Sequence, residues 1–291
     1  MKDIENVGKL IGICICSLFI LIPEIHQGLE FGIFGLILIT IGIPHGAIDH
    51  LITNNKSSSK KFLHFLFNYL GMIILYIIFW IITPKLAFII FIIMSSYHFG
   101  QTHFFEEIIT YRSWLKFILS GAYFLALILF GNFQETREII APIFDLSINK
   151  ESQIFILTIL AVIYLLFQFS MRPIFPTRKI IEFLLLSFCL YNSPLLISFI
   201  VYFGFWHALP SMKIEYEYLS KSLNIKKITT FIKLLIPFSI ISLVGIGMVL
   251  VFGMKYFETE KLIFIFFILV SLISFPHIIY MDRFLRNTNQ N

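Results

Sequence analysis

The chain has 291 residues, of which 58% are hydrophobic and only 13% charged. Soluble globular proteins usually carry about 45–50% apolar residues, so this composition excludes an ordinary water-soluble domain. The formal net charge of +5 does not point to nucleic acid, because the basic residues stand in short loops between apolar runs, where they report membrane orientation.

Apolar runs of roughly 20 residues recur along the whole chain, the pattern of membrane-spanning helices. In chain order they predict an all-α, polytopic membrane bundle of about ten helices. The spans are expected near Gly8–Pro23, Leu29–Ala47, Phe62–Thr83, Leu86–Phe105, Trp114–Phe130, Gln153–Ser170, Ile180–Tyr191, Leu195–Met212, Phe231–Phe252 and Leu262–Met281. Asn192-Ser193-Pro194 either separates spans seven and eight or kinks one long helix. Charge decides for separation. With the N-terminus in the cytoplasm and ten spans, only Lys85, Arg137, Lys150, Lys255 and Lys261 of the 22 basic residues fall outside. Fusing spans seven and eight would move the basic cluster from Lys213 to Lys233 outward, against the positive-inside rule. Both termini are therefore expected in the cytoplasm, and residues 1–291 are expected to form one integral-membrane domain in the plasma membrane.

The first apolar run lacks a small-residue cleavage site before Pro23-Glu24, so it reads as a retained span. A short interfacial helix is expected from Arg137 to Asp145, within the outside loop from Gly131 to Ser152. Cys14, Cys16 and Cys189 lie inside apolar runs and make neither a disulfide framework nor a CxxC metal site.

The chemistry gathers at four stretches: Gly42-Ile43-Pro44-His45-Gly46-Ala47-Ile48-Asp49-His50, Ser95-Ser96-Tyr97-His98-Phe99-Gly100-Gln101-Thr102-His103, Phe205-Trp206-His207-Ala208 and Phe275-Pro276-His277. Ionisable groups at membrane depth mark functional sites. Spans two, four, eight and ten all run from outside to inside, so His45, His50, His98, His103, His207 and His277 fall toward one cytoplasmic level. His26 and His64 read as ordinary polar caps. Neutral imidazole adds no charge to an apolar site and suits iron, copper and zinc. An all-histidine donor set leans toward iron and oxygen chemistry, since zinc sites usually add cysteine, carboxylate or water. Pro44 and Gly46 would bend the helix end and aim His45 inward. Asp49 and His50 are candidates to hold a ligand ring by a hydrogen bond. On a helix His98 shares a face with Gln101, whereas His103 is turned away by about 140°, which makes His98 the better ligand and His103 a supporting group.

The order GIPHGAIDH, SYHFGQTH, FWHALPS and FPH resembles the bacterial and archaeal Brp/Blh family of membrane-embedded β-carotene 15,15′-dioxygenases, which supply retinal to microbial rhodopsins. The likeness runs through nearly the whole chain in motif order, and PHGAxDH is its most specific part. The resemblance implies a non-haem iron(II) cofactor held by His45, His98 and His207. It implies β-carotene and O2 as substrates, and retinal that passes on to a microbial rhodopsin. Many members carry a second histidine four residues after the WH histidine; here that residue is Ser211, so the fourth coordination position falls to His277 or His50, to water, or to nothing. Phe99, Tyr202, Phe203, Phe205 and Trp206 are candidate polyene contacts. Three other readings remain: an inactive or altered-substrate family member, a metal-handling membrane transporter, and a bis-histidine haem carrier.

Overall fold

The computed structural model describes residues 2–53, 59–105, 113–171, 177–225 and 227–288. The expected loop cations Lys56, Arg112, Arg172 and Lys226 lie outside the described residues. Among those described there is no strand. The helices are α1 (Lys2–Leu21), α2 (Gln27–Ile37), α3 (Asp49–Thr53), α4 (Ser59–Ile82), α5 (Pro84–Thr102), α6 (Ser113–Gly131) and α7 (Phe133–Ile140). They continue as α8 (Lys150–Met171), α9 (Thr177–Asn192), α10 (Leu195–Val201), α11 (Leu209–Ser222), α12 (Ile228–Gly253) and α13 (Thr259–Thr288).

Each of the ten expected apolar runs is helical. Among the described residues, eight helical stretches are long and apolar enough to cross a membrane; α5 and α9 are not among them. The side chains on the outer surface suit hydrocarbon: Phe67, Ile81, Phe155, Val251 and Phe252 are all exposed. The short helix expected between α6 and α8 sits earlier than the sequence implies. It covers Phe133–Ile140, because Asn132 and Phe133 follow directly on α6 and Pro142 closes it.

Prolines and wide turns punctuate the helices. Pro84 opens α5, where its missing N–H is no loss. Pro194 stands at the N-cap of α10, so the chain breaks between α9 and α10. Two π-helical turns, Leu38–Gly42 and Tyr202–Ala208, each lead into a histidine motif. Such turns are rare and concentrate at functional sites. Pro44–Gly46 follows as one 3-10 turn.

The described chain forms two compact units. Unit 1 comprises Met1–Leu38 and Ser95–Leu209, and unit 2 comprises Ile39–Met94 and Pro210–Asn291. Unit 1 is built around α10 and the π turn after it, where every side chain from Leu195 to Ala208 is buried. A helix that is apolar on all sides belongs in the middle of a bundle. Against it pack α1, α2 and α6, while α6 also holds α8 and α9. The crossing of α5 and α6 is close: a Cβ on Gly100 would run into the Phe117 carbonyl, and one on Gly121 into the Ser96 carbonyl. Small residues let membrane helices approach in this way. Near the N-terminus Lys9 pairs with Glu5 at 3.2 Å and Glu182 at 2.8 Å, and Glu182 accepts the Trp206 indole N–H at 3.0 Å.

Unit 2 is organised on α13, which packs against α3, α4 and α12. Its polar ties run from aromatic side chains. The Trp80 indole donates to the Ser271 hydroxyl at 3.1 Å, and the Tyr76 hydroxyl to the Ala87 carbonyl at 3.0 Å.

Candidate metal centre

In unit 1, His98 leaves α5 on its buried face, 4% exposed. Its Nδ1–H donates to the Gln101 side-chain oxygen at 3.2 Å, three residues on, as the helical spacing implies. That bond assigns the lone pair to Nε2. His207 lies in the Tyr202–Ala208 π turn and is fully buried. The two rings meet edge to face with centroids 4.4 Å apart. Phe99 and Phe203 wall the same ring, at 4.7 and 5.8 Å.

His103 takes a different place. It stacks on Phe124 at 4.5 Å, its Nε2 bonds the Tyr202 hydroxyl at 2.9 Å, and the Tyr164 hydroxyl stands 3.5 Å from its Nδ1. Tyr202 in turn abuts Phe99, centroids 5.6 Å apart. Of the five aromatic candidates, then, Phe99, Tyr202 and Phe203 gather near the His98–His207 pair. Phe205 and Trp206 face α1 instead, beside Gly8 and Gly12.

In unit 2, His45 occupies the middle of the 3-10 turn, 6% exposed, and its Nδ1–H donates to the Gly42 carbonyl. The wide turn before Pro44 brings that carbonyl within reach. His277 follows Pro276 inside α13 and meets the His45 ring edge to face at 4.8 Å. Asp49 was expected to steady a ligand ring, and the ring it holds is that of His277: Nδ1–H donates to Oδ1 at 2.8 Å. The second carboxylate oxygen accepts the Tyr69 hydroxyl at 3.3 Å. Gly46 leaves room for this arrangement, since a Cβ there would sit 3.3 Å from the His277 Nδ1. His50 lies apart in an aromatic nest, 4.8 Å from Phe238 and next to Phe62 and Phe65.

One buried group escaped the sequence reading. Glu215 on α11 is fully buried, and neither carboxylate oxygen has a hydrogen-bond partner among the described residues. The apolar run ends at Met212, whereas the helix continues to Ser222; the four-residue spacing of Ser211, Glu215 and Leu219, which puts them on one face, was the available signal.

His98 and His207 in unit 1 and His45 in unit 2 each present an imidazole nitrogen from a buried position, and imidazole is a metal-ligand type. Neutral imidazole suits iron, copper or zinc, and buried carboxylate or amide partners fix the ring that binds. No curated protein and no solved structure matches the chain significantly. A family model described as beta-carotene 15,15'-dioxygenase matches residues 36–284, a range that takes in all four histidine motifs, and the chain therefore belongs to that family.

Proposed function

We propose that the protein is a membrane-embedded non-haem iron dioxygenase that cleaves β-carotene at its central 15,15′ double bond and releases two molecules of retinal. The observation that carries this reading is the pairing of the motif histidines: His98 against His207 and His45 against His277, all buried. Single interfacial histidines acting as polar caps have no reason to pair in this way.

His45, His98 and His207 would hold iron(II), with His277 as the fourth ligand in preference to His50. Support for His277 comes from its bond to Asp49, the carboxylate–histidine arrangement that fixes the tautomer of metal-binding rings. Bound iron would supply the binding and activation of dioxygen. The chain supplies orientation and dryness. Gln101, the Gly42 carbonyl and Asp49 each hold an Nδ1–H, so that Nε2 of His98, His45 and His277 is the ligating atom. Phe99, Phe203 and Tyr202 exclude water and offer flat apolar walls to a polyene. Breaking the double bond places one oxygen atom in each aldehyde and consumes no proton, so no side chain need act as acid or base.

The substrate partitions into lipid, which fits a bundle of ten spans in the plasma membrane with both termini cytoplasmic. The retinal would pass to a microbial rhodopsin. Expression in β-carotene-accumulating cells tests the reading: the cells should bleach and yield retinal. Unchanged pigment from folded, iron-supplied protein would overturn it.

A further inference from the structure

The π turn that carries His207 departs from the regular helical ladder, and such a departure persists only where surrounding contacts hold it. Two polar ties reach the Tyr202–Ala208 turn within unit 1. At its start the Tyr202 hydroxyl bonds His103 Nε2 at 2.9 Å. Near its end the Trp206 indole N–H donates to Glu182 Oε1 of α9 at 3.0 Å. The same oxygen accepts from the Lys9 ammonium at 2.8 Å, and Lys9 stands 6.0 Å from the Trp206 ring centroid. Helix α1 delivers Lys9 by lying close on the turn. A Cβ on Gly12 would come within 2.9 Å of Phe205 and 3.0 Å of Trp206.

Lys9 and Glu182 stand inside apolar runs, where ionisable groups are expensive and mark function. Their side chains are only 21% and 29% exposed. An ion pair withdrawn from water gains little beyond its desolvation cost, so stability alone is a poor reason for it. Geometry supplies a better one. Trp206 and His207 are neighbours in the chain, and successive side chains on a helical turn point roughly a quarter turn apart. Trp206 faces α1 and Glu182, while the His207 ring meets His98 at 4.4 Å and Phe99 at 4.7 Å. Seating the indole on Glu182 fixes the rotation of the turn, and with it the direction of the His207 ring.

We propose that Glu182, held in place by Lys9, is a positioning residue for His207 and acts on it through Trp206. The proposal rests on the iron reading of the preceding section, and its test separates the two. Detergent-purified full-length protein is loaded with Co2+. Affinity by chelator competition, the ligand-field spectrum and the melting temperature are measured for wild type, Glu182→Ala, Glu182→Gln, Trp206→Phe, the Glu182→Ala/Trp206→Phe double variant and His207→Ala. Wild type should bind the metal and His207→Ala should lose it. Glu182→Ala and Trp206→Phe should each bind about tenfold more weakly, the lower end of what supporting groups contribute at metal sites, with the same altered spectrum. The double variant should be no worse than either single one, because both remove one bond. Glu182→Gln, whose amide oxygen still accepts the indole N–H, should recover most of the affinity and the wild-type spectrum. Trp206→Phe keeps an aromatic ring in place and decides the matter if Glu182→Ala does not fold. Lower melting temperatures beside wild-type affinity and spectrum in the single variants would make the bond merely structural and overturn the proposal. Losses that add in the double variant would overturn it as well, and either result leaves the iron reading intact. Metal retained by His207→Ala, or absent from wild type, would overturn both.

Discussion

The Nδ1 atoms of three buried histidines carry the same instruction by different means. His45 donates to a backbone carbonyl, His98 to an amide oxygen and His277 to a carboxylate. The carboxylate is the strongest acceptor of the three, since hydrogen bonds to charged groups are roughly twice as strong as neutral ones. Asp49→Asn should therefore lower iron affinity about 10- to 100-fold, with Gln101→Leu nearer the bottom of that range, as read by chelator competition on purified protein. Equal affinity in Asp49→Asn and wild type would remove Asp49 from the centre. The histidines themselves were legible from sequence, because each ends an apolar run beside glycine, proline or an aromatic residue. The partner of Asp49 was not. His277 stands 228 residues away along the chain, and only folding reveals which ring a carboxylate holds. Glu215 was hidden for a different reason: beside Lys213 and Glu217 it looks like part of a solvated helix end.

At the scale of the helix, the crossing of α5 and α6 sets where His98 stands. Gly121→Ala or Gly100→Ala would push a methyl group into backbone that cannot turn aside. Overpacking typically costs about 1–3 kcal/mol, and because the obstacle is a carbonyl the upper end is expected, as a lower melting temperature in detergent together with weaker metal binding. A second element-level prediction concerns α7. Burial raises Glu135 above the usual carboxylate range, even though its side chain accepts the Leu195 N–H at 3.4 Å. A raised folded pKa means that the folded state prefers the protonated acid, so stability is fullest at low pH and falls as pH rises through the raised value. Glu135→Gln should thus melt higher than wild type at neutral pH, with the gap closing as pH drops below the ordinary carboxylate range. A gap that widens on acidification would contradict the burial argument. Helix existence was legible because apolar runs, Pro84 and Pro194 announce it. The π turns at Leu38–Gly42 and Tyr202–Ala208 were not, since a widened turn is a tertiary compromise and has no local signature.

For the molecule as a whole, the open comparison is between ten spans and eight. The stretches that fall short of a standard span are α5 and α9, and each has a physical excuse. Polar Ser95, Ser96, His98 and Gln101 dilute α5, yet all four are buried, so the helix need not present them to lipid. At 16 residues, α9 is about 24 Å long, short of the roughly 30 Å hydrocarbon core. Arg178 and Lys179 at its N-terminal end can snorkel to the interface, and local thinning of the bilayer absorbs the remainder. Either count is even, so both leave the termini on one side and fusions at the ends cannot separate them. The connection between α6 and α8 can: with ten spans residues 132–149 lie outside, and with α5 and α9 left uncrossed they lie inside. A single cysteine placed at Asn149 in a background lacking Cys14, Cys16 and Cys189 should react with a membrane-impermeant thiol reagent added to intact cells. Labelling only after permeabilisation would reverse the course of α6 and α8, and with it the reason for expecting His98 and His207 to reach one level from parallel helices.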